Sequence, residues 1–190
     1  MSLDFVTQQI QVFGYWIIII VLICGIIGVP APEETFMVFL GMLAAKGHLN
    51  FGLSLLSVTT GAFIGMMLAY FIGRKAGKSF IERYGKYVKL TEQRWEKAAG
   101  DFRESGKWLV FTAFFFPGFR QLSPYIAGTS GLSLLPFIVL SAAGSFTWGL
   151  VFTAGGYFLG DHLPLSYLPW AGGLALLAFI LISIKKYKSN

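Results

Sequence analysis

The residues that could do chemistry in this chain are three charges inside otherwise apolar sequence. Glu33 and Glu34 follow a Pro-Ala-Pro segment, and Arg120 follows a Pro-Gly pair. A charge at membrane depth costs roughly 2.5–3.5 kcal/mol on insertion scales, so it normally has a partner or a wet cavity. We therefore expect Arg120 to lie near Glu33 or Glu34.

Two compatible interpretations of these charges follow from their chemistry. In the first, they form a structural ion pair that holds two segments together. In the second, they form a polar site for an anionic group. Arg120 would then bind phosphate through its planar guanidinium, and one Glu would act as counter-charge or proton acceptor.

The composition sets the environment of these charges. Of 190 residues, 55% are apolar and only 13% are charged, about half of the roughly 25% typical of soluble domains. A soluble domain of this size has too little interior to bury so much apolar surface. A cytosolic globular enzyme, a disordered chain and a disulfide scaffold are thus excluded. We expect one all-α polytopic membrane domain over 1–190, with Cys24 as a buried inert thiol and no metal site or cofactor.

The basic residues are concentrated in one loop and at the C-terminus. Ten lie in 74–107: Arg74, Lys75, Lys78, Arg83, Lys86, Lys89, Arg94, Lys97, Arg103 and Lys107. Short basic loops remain cytoplasmic, which places 74–107 and the C-terminus inside and the N-terminus outside. Acidic residues interleave with the basic ones, so nucleic-acid binding is not expected.

The first apolar segments are too short to cross a membrane, since a helical crossing needs about 20 residues. The prolines and carboxylates of 30–34 interrupt the apolar sequence of 15–46. This pattern predicts a re-entrant helical hairpin with its tip near 30–34, since irregular backbone at membrane depth needs protein or a wet cavity around it. A transmembrane helix is predicted next, over 51–73.

The second half repeats this order. Within the basic loop 74–107, apolar residues at helical spacing predict an amphipathic helix on the inner membrane surface. A second re-entrant hairpin is predicted at 108–130 and a transmembrane helix at 132–159. A C-terminal transmembrane helix is predicted at 166–184.

A shift of 87 residues aligns the two halves, 15–73 and 108–160. It places Pro30 on Pro117, Gly41 on Gly128 and Glu33 on Arg120. The halves would enter the membrane from opposite sides, and inverted repeats with broken helices are a recurrent transporter architecture. The structural motif at the hairpins consists of Pro30, Pro32, Pro117, Gly118 and Gly128.

The motifs PAPEE, GAFIG…YFIGRKAG and FFFPGFRQLSPYIAG resemble the DedA family of bacterial membrane proteins over about 29–160. The resemblance implies twin re-entrant hairpins and lipid translocation, not enzymatic catalysis. It also implies a multi-pass protein of the bacterial cytoplasmic membrane. The implied partner is a membrane lipid: undecaprenyl phosphate, the cell-wall lipid carrier, or alternatively phosphatidylethanolamine.

The family's functional residues carry over individually. Its acidic residue corresponds best to Glu34, whereas the 87-residue shift favours Glu33, and both stay open. Its arginine corresponds to Arg120. Met66 and Phe114 stand where the family usually has Asp and Arg, so the resemblance leaves proton coupling open.

Two other functions compete with transport. Gly128–Gly131 contains a G-x-S-G pattern, in which Ser130 and His162 would be the residues of an intramembrane serine protease. That loop is better interpreted as a turn and cap before the following helix, because Ser130 and His162 are predicted on opposite sides. A non-transporting scaffold is the other alternative, and a homo-oligomer remains open.

Overall fold

The structure is a computed structural model, and it describes residues 3–28, 32–84, 100, 108–116 and 118–160. Several predicted features lie outside these residues. They are Pro30, Pro117, most of the basic loop with its amphipathic helix, His162 and the C-terminal helix predicted at 166–184.

Every secondary-structure element in the described ranges is a helix, which confirms the all-α prediction. The six helices are α1 (Leu3–Ile27), α2 (Glu33–Ala45), α3 (Phe51–Tyr84), α4 (Trp108–Ala113), α5 (Phe119–Thr129) and α6 (Leu134–Gly160). Two stretches of the described helices are long and apolar enough to cross a membrane, Phe51–Lys75 and Leu134–Gly160.

Two helices extend beyond their predicted limits. Helix α1 begins at Leu3, ahead of the predicted start at residue 15, although its apolar part is only Phe13–Ile27. Helix α3 continues to Tyr84, past the predicted end at residue 73, because Arg, Lys and Ala are good helix formers and no proline intervenes. Hydropathy locates the apolar part of a helix, not its ends.

Glycine and proline set the two interruptions of the helical chain. Gly28 has a φ of 132° directly after α1, and Gly118 has a φ of 80° directly before α5. Side chains with a Cβ rarely adopt such positive φ values, so glycine permits the turn at both places. Pro32 precedes α2, where its lack of an N–H costs no helical hydrogen bond.

The two long helices α3 and α6 form an antiparallel centre. Phe51 at the start of α3 contacts Tyr157 near the end of α6. Tyr70 stacks on Phe137, with ring centroids 4.4 Å apart. The remaining helices divide between them. Helices α1 and α5 pack mainly on α3, α2 packs mainly on α6, and α4 packs on α6 and α5.

Close approach between helices depends on glycine. A Cβ on Gly41 of α2 would overlap the backbone of Thr153 and Gly156 in α6, and a Cβ on Gly128 of α5 would overlap the backbone of Tyr70 in α3. Small residues at such crossings let helix backbones meet, as is usual in membrane proteins. Gly61, Gly65 and Gly73 of α3 make comparable contacts with α1 and α5.

Candidate functional site

Arg120 forms ion pairs with both carboxylates of the first half. Its Nη1 lies 2.6 Å from Oε1 of Glu34, and its Nη2 lies 3.3 Å from Oε2 of Glu33. Nη1 also donates to the carbonyl oxygen of Phe114 at 3.4 Å. The three charges singled out by the sequence thus form one cluster, which we call the Arg–Glu cluster: Arg120, Glu33 and Glu34.

The two carboxylates differ sharply in exposure. Glu33 is fully buried, whereas the side chain of Glu34 is 31% exposed. Neither oxygen of Glu33 has a hydrogen-bond partner within the described part of the chain. Its Oε1 lies against Gly25, where a Cβ would come within 2.5 Å of it. Glu34 is therefore the accessible side of the cluster, and Glu33 is its interior side.

The Arg120 side chain is 4% exposed and packs on an aromatic ring. Its Cζ lies 4.2 Å from the centroid of Trp148, a fully buried residue of α6. At this distance the guanidinium interacts with the electron-rich ring face. Phe114 packs beside the same indole, with ring centroids 6.0 Å apart. Arg120 is thus held by carboxylates at its edge and by an indole at its face.

The Arg–Glu cluster lies near the middle of the long helix α6. Trp148 is about 21 Å from the start of α6 and about 18 Å from its end, at 1.5 Å per residue. From this level α2 runs towards the 46–50 turn, where Met42 and Ala45 contact Gly160. Helix α5 runs the opposite way, and its Gly128 reaches Tyr70 and Arg74. The N-terminal ends of α2 and α5 therefore lie close together near the middle of α6.

Helix ends contribute to the electrostatics of the cluster. Glu33 and Glu34 lie in the first turn of α2, where the positive end of the helix dipole stabilises anions. Arg120 lies in the first turn of α5, where the same dipole disfavours a cation. The two carboxylates offset that cost. Two helix N-termini and one guanidinium favour negative charge here, and the anions that they face in this structure are Glu33 and Glu34.

Side chains of α5 also bind the end of α1. Nε2 of Gln121 donates to the carbonyl oxygen of Gly25 at 3.1 Å, and the hydroxyl of Tyr125 donates to that of Ile27 at 2.8 Å. Carbonyls in the last turn of a helix lack the usual helical partner, and these bonds give each of them a side-chain donor; the Gly25 oxygen also accepts the N–H of Gly28. They also join the two halves next to the cluster.

The remaining predicted positions surround the cluster or lie away from it. Pro32 and Gly118 precede the two helices that carry the charges, whereas Gly128 lies at a helix crossing far from them. Met66 and Phe114 are fully buried. Among the described residues, no three His, Cys, Asp or Glu side chains form a metal-like group. Cys24, predicted to be buried, is instead exposed on α1.

Ser130 serves as a helix cap. Its hydroxyl donates to the carbonyl oxygen of Ala127, and its backbone N–H caps the end of α5. The next helix begins at Leu134. This geometry agrees with the interpretation of Gly128–Gly131 as a turn and cap.

Trp148 and Gln121 were not predicted as site residues. Trp148 stands in an apolar helix that reads simply as a membrane span. Its relation to Arg120 depends on how α5 and α6 dock, which no local pattern encodes. Gln121 carried a weak signal, because it is a polar residue directly after the isolated arginine.

The described helices form a bundle in which two are apolar and long enough to cross a membrane, and a buried charge cluster lies at the N-terminal ends of the shorter helices α2 and α5. This arrangement is consistent with a membrane protein. The VTT domain matches residues 29–158, and that range contains both carboxylates and Arg120. The chain belongs to the VTT-domain family, which is the DedA family.

Its relatives include several bacterial membrane proteins. The uncharacterized membrane protein YbfM of Bacillus subtilis is 36% identical over 158 residues, which cover 83% of this chain and 98% of YbfM. Undecaprenyl phosphate transporter A of Staphylococcus aureus is 31% identical over 147 residues, 75% of this chain and 72% of that protein.

Two relatives bear a different kind of name, alkaline phosphatase-like protein. An alkaline phosphatase-like protein of Lactococcus lactis is 27% identical over 164 residues, 84% of this chain and 77% of that protein. No solved structure is significantly similar to the chain.

Proposed function

We propose that this protein is a lipid transporter of the bacterial cytoplasmic membrane, that it is not an enzyme, and that it moves undecaprenyl phosphate. The observation that carries the proposal is Arg120. It is a buried guanidinium near the middle of the long helix α6, with a partly exposed carboxylate as its nearest partner. A lipid phosphate crossing roughly 30 Å of hydrocarbon would need such an intermediate binding point.

The proposed membrane architecture is an inverted repeat. Two re-entrant hairpins, 15–46 and 108–130, would meet at their tips, with transmembrane helices following each one. The support is reciprocal packing: α2 of the first half packs on α6, and α5 of the second half packs on α3, each through one glycine. The basic loop 74–107 and the C-terminus would face the cytoplasm, and the N-terminus would face outside.

Binding would proceed by exchange of anions on Arg120. Glu34 is the partner that the lipid phosphate replaces, because it is the exposed carboxylate and contacts Nη1 alone. Glu33 stays buried and keeps the guanidinium in place from Nη2. The helix N-termini of α2 and α5, which have no side-chain cap, would add backbone donors for the phosphate. The lipid tail remains in the bilayer beside the exposed apolar side chains.

The charge balance favours a second candidate substrate, phosphatidylethanolamine. One guanidinium faces two carboxylates, so an added phosphate monoester would leave an excess of negative charge in apolar surroundings. A zwitterionic head group brings its own ammonium, which would pair with the displaced Glu34. Undecaprenyl phosphate stays the first candidate because two relatives are named undecaprenyl phosphate transporter A. Proton uptake by a carboxylate would balance the charge of this lipid.

The test is a flipping assay in vesicles that contain the purified full-length chain. Fluorescent polyprenyl phosphate and fluorescent phosphatidylethanolamine are compared in wild type, Arg120→Ala, Glu33→Ala and Glu34→Ala. Arg74→Ala is the matched control, since Arg74 is an exposed arginine that bonds only to Tyr70 among its described contacts.

We expect wild type and Arg74→Ala to move one of the lipids and Arg120→Ala to move neither. If wild type moved neither lipid, the proposed transport of these lipids would be wrong. Equal transport by all variants would place the lipid path elsewhere in the molecule.

A further inference from the structure

Trp148 is the closest aromatic neighbour of the guanidinium, and its position is unusually constrained. Gly144, one turn earlier on α6, leaves room for the Phe114 ring, which a Cβ would approach within 2.5 Å. Gly149, the next residue, fits against Val58 of α3. Phe114 and Phe152 contact the indole from two directions, each with ring centroids 6.0 Å away. The ring has little freedom to move.

The polar group of the indole takes no part in this arrangement. Trp148 is fully buried, and its Nε1–H has no hydrogen-bond partner among the described residues. A buried tryptophan usually finds a partner for that group. The ring therefore occupies this position for its face rather than for its N–H, and the group that uses the face is Arg120 at 4.2 Å.

The orientation of Arg120 depends on this face. Nε of Arg120 has no hydrogen-bond partner in the described part of the chain. The ion pairs and the Phe114 carbonyl hold only the Nη edge. If a phosphate displaced Glu34, fewer contacts would remain to orient the guanidinium. The contact with Trp148 would persist through such an exchange, because it uses the plane of the group and not its edge.

We propose that Trp148 is the positioning residue of Arg120: its indole face holds the guanidinium so that the Nη edge stays directed at the anion, whether this is Glu34 or a lipid phosphate. This inference rests on the proposed function, because it assigns a role within the same site. It predicts that an aromatic ring is required at position 148 and that the indole N–H is not.

The first experiment measures the contact without any lipid substrate. Thermal unfolding of the detergent-solubilised full chain is followed for Trp148→Leu, Arg120→Gln and the double variant. We expect the double variant to lose roughly 4–8 °C less than the sum of the single losses, as a desolvated cation–π contact implies. Additive losses would overturn the proposal.

The second experiment measures transport in the vesicle assay at limiting labelled lipid. Trp148→Phe keeps a ring face and should stay within about threefold of wild type. Trp148→Leu should fall roughly 20-fold, the factor expected for loss of the cation–π contact. Phe152→Leu is the matched control, because it removes a ring that packs on Trp148 and that has no contact with Arg120 among those described.

The outcomes separate this inference from the proposed function. Equal loss in Trp148→Phe and Trp148→Leu, or equal loss in Trp148→Leu and Phe152→Leu, would reduce Trp148 to a packing residue. If wild type moved neither lipid, the proposed function would fail. The unfolding cycle would then still decide whether the indole holds Arg120.

Discussion

Helices α2 and α5 have the same framework and opposite charges. Both begin at the Arg–Glu cluster, both run towards an end of the bundle, and both cross a long helix at one glycine. Yet α2 opens with two acids and α5 with a base. The shared framework comes from close backbone contacts at Gly41 and Gly128, and the opposite charges lie in the first turn of each helix. Packing and charge are therefore separable by mutation.

Removal of the base should have the largest effect. Arg120→Ala leaves two carboxylates without their cation, one of them fully buried. Breaking a buried ion pair costs about 3–5 kcal/mol, so we expect a large drop in the unfolding midpoint together with loss of transport. The double variant Arg120→Ala/Glu33→Gln should recover stability but not transport. Recovery of both would mean that the cluster is purely structural.

Substitution of the glycines at the helix crossings should have the next largest effect, and the loss of stability should be similar for α2 and α5. Gly41→Val would push α2 from the backbone of α6, and Gly128→Val would push α5 from α3. We expect each to destabilise the protein by about 2–4 kcal/mol through overpacking, with little dependence on charge. Gly155→Ala is the control, since a Cβ there meets nothing within 4 Å. A loss in only one of the two would show that the frameworks are not equivalent.

The two acids of α2 should separate in a third comparison. Glu34→Gln removes a partly exposed partner of Arg120, so stability should change by no more than about 1 kcal/mol, while transport should fall at least tenfold. Glu33→Gln should alter stability more, since Glu33 is fully buried. The measurements are detergent unfolding and vesicle flipping. The reverse pattern would assign the substrate-facing role to Glu33.

The smallest effect is expected for a hydrogen bond from α5 to the end of α1. Tyr125→Phe removes the hydrogen bond to the carbonyl oxygen of Ile27. Such a bond contributes about 1 kcal/mol, so the unfolding midpoint should fall by a few degrees with transport nearly intact. Tyr15→Phe, at the middle of α1, removes the bond from the Asn50 backbone and is the matched control. A transport defect in Tyr125→Phe alone would make the α1–α5 link part of the mechanism.

The breaks between the helices could be predicted from the sequence, because particular residue types cause them. Pro32 and Gly118 mark the starts of α2 and α5, since one fixes φ and the other permits a positive φ. Arg120 stood out because a single base in apolar sequence demands a partner. The start of α1 at Leu3 escaped prediction, because the helix extends through polar residues that carry no membrane signal.

The finer geometry of the site was not accessible from sequence. Glu33 and Glu34 are adjacent and chemically alike, and about 100° of helix rotation decides which one is buried. That rotation is set by the docking of α2 on α6 through Gly41. The contact of Arg120 with Trp148 likewise joins two helices whose docking depends on the whole bundle.

The division of the short helices between the long ones has a mechanical consequence. Helix α5 packs mainly on α3, and α2 packs mainly on α6. The ion pair between Arg120 and Glu34 therefore connects two short helices that are attached to different long helices. Any tilt of α3 against α6 would change the distance between these opposite charges. The Arg120–Glu34 distance would therefore depend on the angle between α3 and α6, the two longest helices described.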